Sequence, residues 1–238
     1  MDLFLIYPVQ IAYTLVMLVV TSVFDIKYRE VPNKLWIPFL PLAIFTYLEW
    51  PYVNPIVFVY SVAVSVVLLL VMAKAGLMGG ADVVLILLLG LGNPIVLPPL
   101  FPRLSLLGGE AITVVIYTSV SIVLWGLVNA LRNARDVSSL SGGSKWVIAF
   151  SGKKMTVGEF LKSRFYFPLT EIDESGNVRL RTHFKVEEDD AYWRKRFEVL
   201  LRRGVVREDT EIWVAWGVPV IPFFLIGYVV SLVVGLPL

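Results

Sequence analysis

The sequence predicts a polytopic α-helical membrane protein: six transmembrane helices, with a small α+β cytoplasmic domain between helices five and six. Three observations predict it. Hydrophobic residues make up 57% of the 238 positions, and the mean hydropathy of +0.76 stands far above that of an ordinary soluble domain. Apolar runs close to the roughly 20 residues that a span requires recur along the chain. The charge, by contrast, collects in one block over residues 132–211, which holds most of the 21 Lys and Arg and most of the 19 Asp and Glu.

Each span follows from its own run. Residues 3–24 form the first: no basic segment precedes them and no small-residue cleavage site follows, so they read as a retained helix and not a signal peptide. Residues 35–48 form a short second span, interrupted by Pro38 and Pro41. Residues 53–73 form a full third span. The fourth, 83–97, is short and broken by Gly90, Gly92 and Pro94. The fifth covers 111–131. The sixth, 212–238, carries Pro219 and Pro222 early, which bends or breaks its first turns. Broken spans are tolerated where protein or a watery cavity covers the freed backbone groups. Tyr7, Trp36, Trp50, Tyr52 and Trp213 sit near span ends and read as an interfacial aromatic belt.

Loop charge sets the orientation. Lys27, Arg29 and Lys34 follow the first span, Lys74 the third, and Arg132 and Arg135 the fifth. The alternate loops hold Arg103 as their one basic residue, beside Asp2, Glu49 and Glu110. The positive-inside rule then puts the charged block in the cytoplasm and both termini outside. Within the block, 138–144 reads as a flexible lead-in. Residues 145–150 read as a strand ending at the turn 151–154. Residues 164–172 and 178–186 read as hairpin strands around Asp173-Glu-Ser-Gly-Asn177. Residues 189–203 read as a helix: acids open it, bases and Gly204 close it, and Trp193, Phe197, Leu200 and Leu201 form an apolar stripe. The resulting division is a membrane domain at 1–131, a cytoplasmic domain at 132–211 and a last helix at 212–238.

Two carboxylates stand where apolar runs meet loops. Asp25 ends the first run and opens Asp25-Ile-Lys-Tyr-Arg-Glu-Val-Pro-Asn33; Asp82 follows Gly79-Gly80-Ala81 and opens the fourth. A carboxylate beside hydrocarbon is expensive and is a functional hypothesis by default. The predicted topology puts both at the cytoplasmic face at similar depth. Two carboxylates close enough to share a proton do aspartyl protease chemistry: one takes a proton from water, the other donates to the substrate carbonyl. Gly79 and Gly80 leave the backbone bare there, either admitting an extended substrate, letting helices approach or serving as a hinge. The bland readings are an interfacial helix end for Asp25 and a helix cap for Asp82, and capping is compatible with catalysis.

With these residues the chain resembles the archaeal preflagellin (prearchaellin) peptidases, of the type IV prepilin peptidase group of GxGD membrane aspartyl proteases. Gly79-Gly80-Ala81-Asp82 resembles the G-x-G-D signature, with Ala81 where the signature often has glycine. Asp25, Arg29 and Val31-Pro32-Asn33 resemble the motif around the first catalytic aspartate. The resemblance implies an endopeptidase that removes the short basic leader from archaellin or type IV pilin-like precursors at the cytoplasmic membrane face, with Asp25 and Asp82 catalytic. Its partners are then those precursors and the lipid bilayer. Bacterial relatives add a cysteine-rich zinc segment and N-methylation. The chain has no cysteine, so no metal, no cofactor and no methyltransferase activity are expected.

Other residues carry lesser expectations. Lys27, Arg29 and Lys34 read as headgroup anchors, with a cation near Asp25 able to tune it. Pro32 and Asn33 start the second span, and Pro219 resembles the proline motif near the active site of presenilin-like relatives. Glu187-Glu188-Asp189-Asp190 reads as helix N-terminal dressing or a lure for a basic leader. His183 is the one histidine, which excludes a Ser-His dyad and an H-E-x-x-H zinc site. The basic residues of the block alternate with acids, against a nucleic-acid surface. Two rivals remain at this point: a non-enzymatic cation or proton carrier using the two aspartates, and a presenilin-like protease that cuts within transmembrane helices.

Overall fold

The computed structural model describes residues 3–138, 140, 144–181 and 188–237. His183, Glu187, most of the predicted lead-in 138–144 and the end of the predicted strand 178–186 lie outside the described residues. The chain divides into two compact units: residues 1–122 with 219–238, and residues 123–218.

In the first unit, α1 (Leu3–Tyr28) is a single long helix. A 3-10 helix over Asn33–Leu42 then runs into α2 (Ala43–Glu49). Ten residues of 3-10 helix are unusual, and Pro38 and Pro41 inside it explain them, because neither has an N–H to give to an α-helical carbonyl. The carbonyl of Pro38 accepts from the Tyr13 hydroxyl of α1 instead. The tighter winding also stretches the segment. Ten residues at about 2.0 Å and seven at about 1.5 Å give about 30 Å, the hydrocarbon thickness.

Helix α3 (Pro55–Lys74) is capped by Asn54, whose side chain accepts from the N–H groups of Ile56 and Val57. Helix α4 (Gly80–Gly92) packs closely on α3 and on α2. The one-turn α5 (Arg103–Leu106) leads to α6 (Glu110–Asn133), whose last turns belong to the second unit. The core of the first unit gathers Met17, Leu18, Leu42, Leu69, Leu85, Ile86, Leu89, Val114, Phe224 and Tyr228.

Among the described residues, three helical stretches are long and apolar enough to cross a membrane: Ile6–Tyr28, Pro55–Lys74 and Glu110–Asn133. The expected fourth span, 83–97, is corrected. Helix α4 stops at Gly92 after 13 residues, about 20 Å, and residues beyond it are irregular. Their polar groups are satisfied by buried side chains from other helices. Gln10 donates to the Ile95 carbonyl at 2.9 Å, Glu49 accepts from the Ile95 N–H at 3.1 Å, and Asn93 donates to Thr14 at 3.0 Å. Irregular backbone at membrane depth requires this cover.

In the second unit, α7 (Ser144–Ser151) precedes β1 (Gly152–Thr156), α8 (Val157–Lys162), β2 (Tyr166–Pro168), β3 (Thr170–Ile172), β4 (Val178–Leu180), α9 (Asp190–Arg202) and β5 (Glu211–Trp216). The chain then returns to the first unit as α10 (Ile221–Val234). Strand β5 is central in an antiparallel sheet of order β1-β5-β2, and β3 pairs with β4 around the Asp173–Asn177 turn. The predicted hairpin turn and the predicted helix, capped by Asp189, stand where expected.

Four expectations on boundaries are corrected. The last apolar run is not helical from Ile212: Glu211–Trp216 is strand, and the helix starts at Ile221, past Pro219. Residues 145–150 are helical and the strand lies at Gly152–Thr156, where a turn was expected. The run 164–172 splits into two strands in different sheets. Trp36 and Trp213 are buried core residues at 5% and 8% exposure, not members of an interfacial belt.

Candidate active site

Both aspartates lie in the first unit, and each is held at a helix N-terminus. Asp82 is the third residue of α4 and is 5% exposed. Its Oδ2 accepts from the Gly79 N–H at 3.0 Å, reaching back over its own first turn. This is the return half of a capping box; glycine at the cap has no side chain to make the forward half. Asp25 lies in the last turn of α1 and is half-buried. Its Oδ2 accepts from the Ile221 N–H at 3.0 Å, the first residue of α10, and the Val220 N–H lies near enough to act on the carboxylate. The two positive helix ends ease the cost of placing carboxylates beside apolar helices. Asp25 and Asp82 are close enough for the charge on one to act on the other.

The glycines beside Asp82 have a narrower role than helix approach. Neither takes a positive φ. A Cβ on Gly80 would meet nothing within 4 Å, and one on Gly79 would touch Asp82 Oδ2 at 3.8 Å. The close approach in α4 is at Gly90 instead, where a Cβ would stand 2.9 Å from Val62 and 3.2 Å from Ala111. Gly80, two residues before Asp82, faces open space. Ala81, the departure from the signature, is half-buried against the core.

The other expected residues separate into near and far. Arg29 takes a left-handed backbone (φ 56°) and closes α1 by donating its N–H to the Asp25 carbonyl at 3.0 Å. Its half-buried guanidinium lies close enough to act on the Asp25 carboxylate. Lys27 is exposed and lies over the Tyr28 ring at 5.6 Å. Pro32 is the N-cap of the 3-10 helix, accepting from the Leu35 N–H at 2.8 Å, and both it and Asn33 are exposed. Pro219 stands two residues before the helix start that holds Asp25. Among the described residues, no three His, Cys, Asp or Glu side chains gather as a metal site.

Residues 12–127, which include both aspartates, match the type IV leader peptidase family. Residues 144–236 match the archaeal peptidase A24 C-terminus, type II. The chain belongs to the type IV leader peptidase family. The resemblance to the archaeal preflagellin peptidases of the prepilin peptidase group is thereby borne out. This leader peptidase is an aspartic-type peptidase of pilin-like precursors and a membrane protein. No protein of curated function matches the chain.

The sequence reading missed the N-terminus of α10 as part of the site. Pro222 was the available signal, since proline in the first turn marks a helix start. What hid it was the apolar run upstream, which continues through β5 without a polar break.

Proposed function

We propose that this leader peptidase removes the short basic leader from archaellin or related type IV pilin-like precursors, with Asp25 and Asp82 as a water-activating dyad. One carboxylate takes a proton from water as its oxygen attacks the scissile carbonyl carbon. The other carboxyl gives its proton to the carbonyl oxygen, forming a neutral tetrahedral diol. Collapse breaks the C–N bond: the protonated carboxyl passes its proton to the departing amine while the ionised carboxylate takes a diol hydroxyl proton, leaving the new carboxyl group. The pair titrates as a unit, so the two roles belong to the dyad. The observation that carries the reading is that both aspartates are fixed at helix N-termini within electrostatic reach of each other.

The charge of the loops supports a cytoplasmic site in a six-span arrangement with both termini outside. Lys27 and Lys34 are exposed beside the dyad end of α1, as expected of headgroup anchors. The test is cleavage of a precursor by membranes carrying wild type, Asp25→Asn or Asp82→Asn, with products mapped by mass spectrometry. A single cut just before the apolar helix of the precursor, lost in both variants, is the expected result. A cut inside that helix supports a presenilin-like protease instead. Cation flux into proteoliposomes without a peptide product supports a carrier.

A further inference from the structure

We propose that the N-terminus of α10 is a positioning element for Asp25, acting through the backbone N–H of Ile221 with that of Val220 beside it. The inference rests on the reading of Asp25 as a member of the dyad. It follows from where the amides of this helix start go. The first N–H groups of any helix find no carbonyl within it and need an outside acceptor. Val220, the N-cap residue, has no side chain that can serve, and Pro222 has no N–H. Phe223 turns back to the Val220 carbonyl at 2.9 Å. The Ile221 N–H is left, and the Asp25 carboxylate takes it from 196 residues earlier in the chain.

The consequence differs for the two aspartates. Asp82 is anchored within α4, by the amide of Gly79. Asp25 sits near the end of α1, where the carbonyls and not the amides are free, so its own helix offers no donor. Its anchor comes from α10. That bond fixes Oδ2, sets the side-chain rotamer and leaves Oδ1 to face the water to be activated. A loose carboxylate in its place would lose the near-attack geometry that such a reaction depends on.

The test pairs two substitutions at one buried position. Ile221→Ala shortens the side chain and keeps the N–H; Ile221→Pro also shortens it and deletes the N–H, at a first helical position where proline is tolerated. On a precursor substrate, Ile221→Pro should fall about 10- to 100-fold below Ile221→Ala in kcat, with KM within about threefold. Equal kcat in the two variants overturns the proposal. A substrate-free readout guards against misfolding of the proline variant. Amide exchange over residues 217–224, followed by mass spectrometry in detergent, should be as slow in Asp25→Asn, which keeps an acceptor oxygen, as in wild type. It should be at least about tenfold faster in Asp25→Ala, and equal exchange in all three overturns the proposal. Cleavage by Asp25→Asn and Asp82→Asn would sink the dyad itself, whereas inactive Asn variants with equal Ile221 variants would sink the positioning role alone.

Discussion

The two ends of the membrane unit hold carboxylates in opposite conditions. At one end, Glu110 is fully buried, with its oxygens accepting from Ser105 and Ser231. Glu49, 1% exposed, accepts from the Ile95 N–H. Around them Asn93 bridges Thr14, the Leu89 carbonyl and the Tyr228 hydroxyl. At the other end, about 22 Å along α1 from Gln10, Asp25 is half-exposed and holds a helix end with one oxygen. Asp82 likewise uses one oxygen on one amide. Glu110 engages both oxygens inside the core; Glu49, Asp25 and Asp82 each engage one, and Asp25 and Asp82 stand within electrostatic reach of each other. On the proposed function, the same residue class serves architecture at one end and catalysis at the other.

The largest way to break this contrast is to lengthen a side chain of the proposed dyad. Asp25→Glu and Asp82→Glu each move the carboxylate by about 1 Å or more and should lower kcat at least 100-fold, with the melting temperature nearly unchanged, as read by activity assay and thermal melt. At the opposite end the effects should exchange places. Glu110→Ala leaves the buried Ser105 hydroxyl without its acceptor, Ser231 keeping the Tyr228 carbonyl, and should cost about 1–3 kcal/mol of stability, while the folded fraction still cleaves.

The glycines of α4 sharpen the contrast along one helix. Gly80→Leu should keep the fold, because its Cβ enters open space, and a loss of cleavage there would mark that space as the substrate's path. Gly90→Val should do the reverse, costing about 1–3 kcal/mol through overpacking against Val62 and Ala111. Denaturation in detergent paired with the cleavage assay separates the two.

How much of this was legible in the sequence follows from what kind of signal each part leaves. The aspartates stood out because a charge interrupting an apolar run is a local anomaly. Helix α9 was legible because Asp189 caps it and its apolar stripe repeats at helical spacing. The β5 strand was not: Ile212, Trp213, Val214, Ala215 and Trp216 are apolar on both faces, since the central strand of the sheet is buried among its neighbours, and a short apolar run reads equally as helix or strand. For the same reason the run at 145–150 was misassigned, and the polar-looking Gly152–Thr156 was passed over as a strand. For the α10 anchor of Asp25, Pro222 marked the helix start, but a backbone amide donor leaves no mark on residue identity to say which carboxylate it meets.

The smallest expected effect lies in the second unit. Partial burial disfavours the charged form of Asp190, yet its bonds from Arg194 and from the Phe165 N–H prevail and hold the carboxyl below its ordinary 3.8. A depressed folded value means that the stabilisation is present above pH 3.8 and is lost as pH falls through the lower folded value. Asp190→Asn should therefore destabilise this unit by about 1 kcal/mol near neutrality. The difference from wild type should fade in acid, with amide exchange over residues 190–202 as the readout.

The central claim is that the two ends divide chemistry from architecture, and one side-by-side measurement tests it. Membranes carrying Asp25→Asn, Asp82→Asn or Glu110→Gln are given the same precursor, and cleavage rate and melting temperature are recorded for each. The account predicts no product from either aspartate variant at native melting temperature, and product from Glu110→Gln at close to the wild-type rate with a lowered melting temperature. Product from either aspartate variant, or an inactive but fully stable Glu110→Gln, would contradict it.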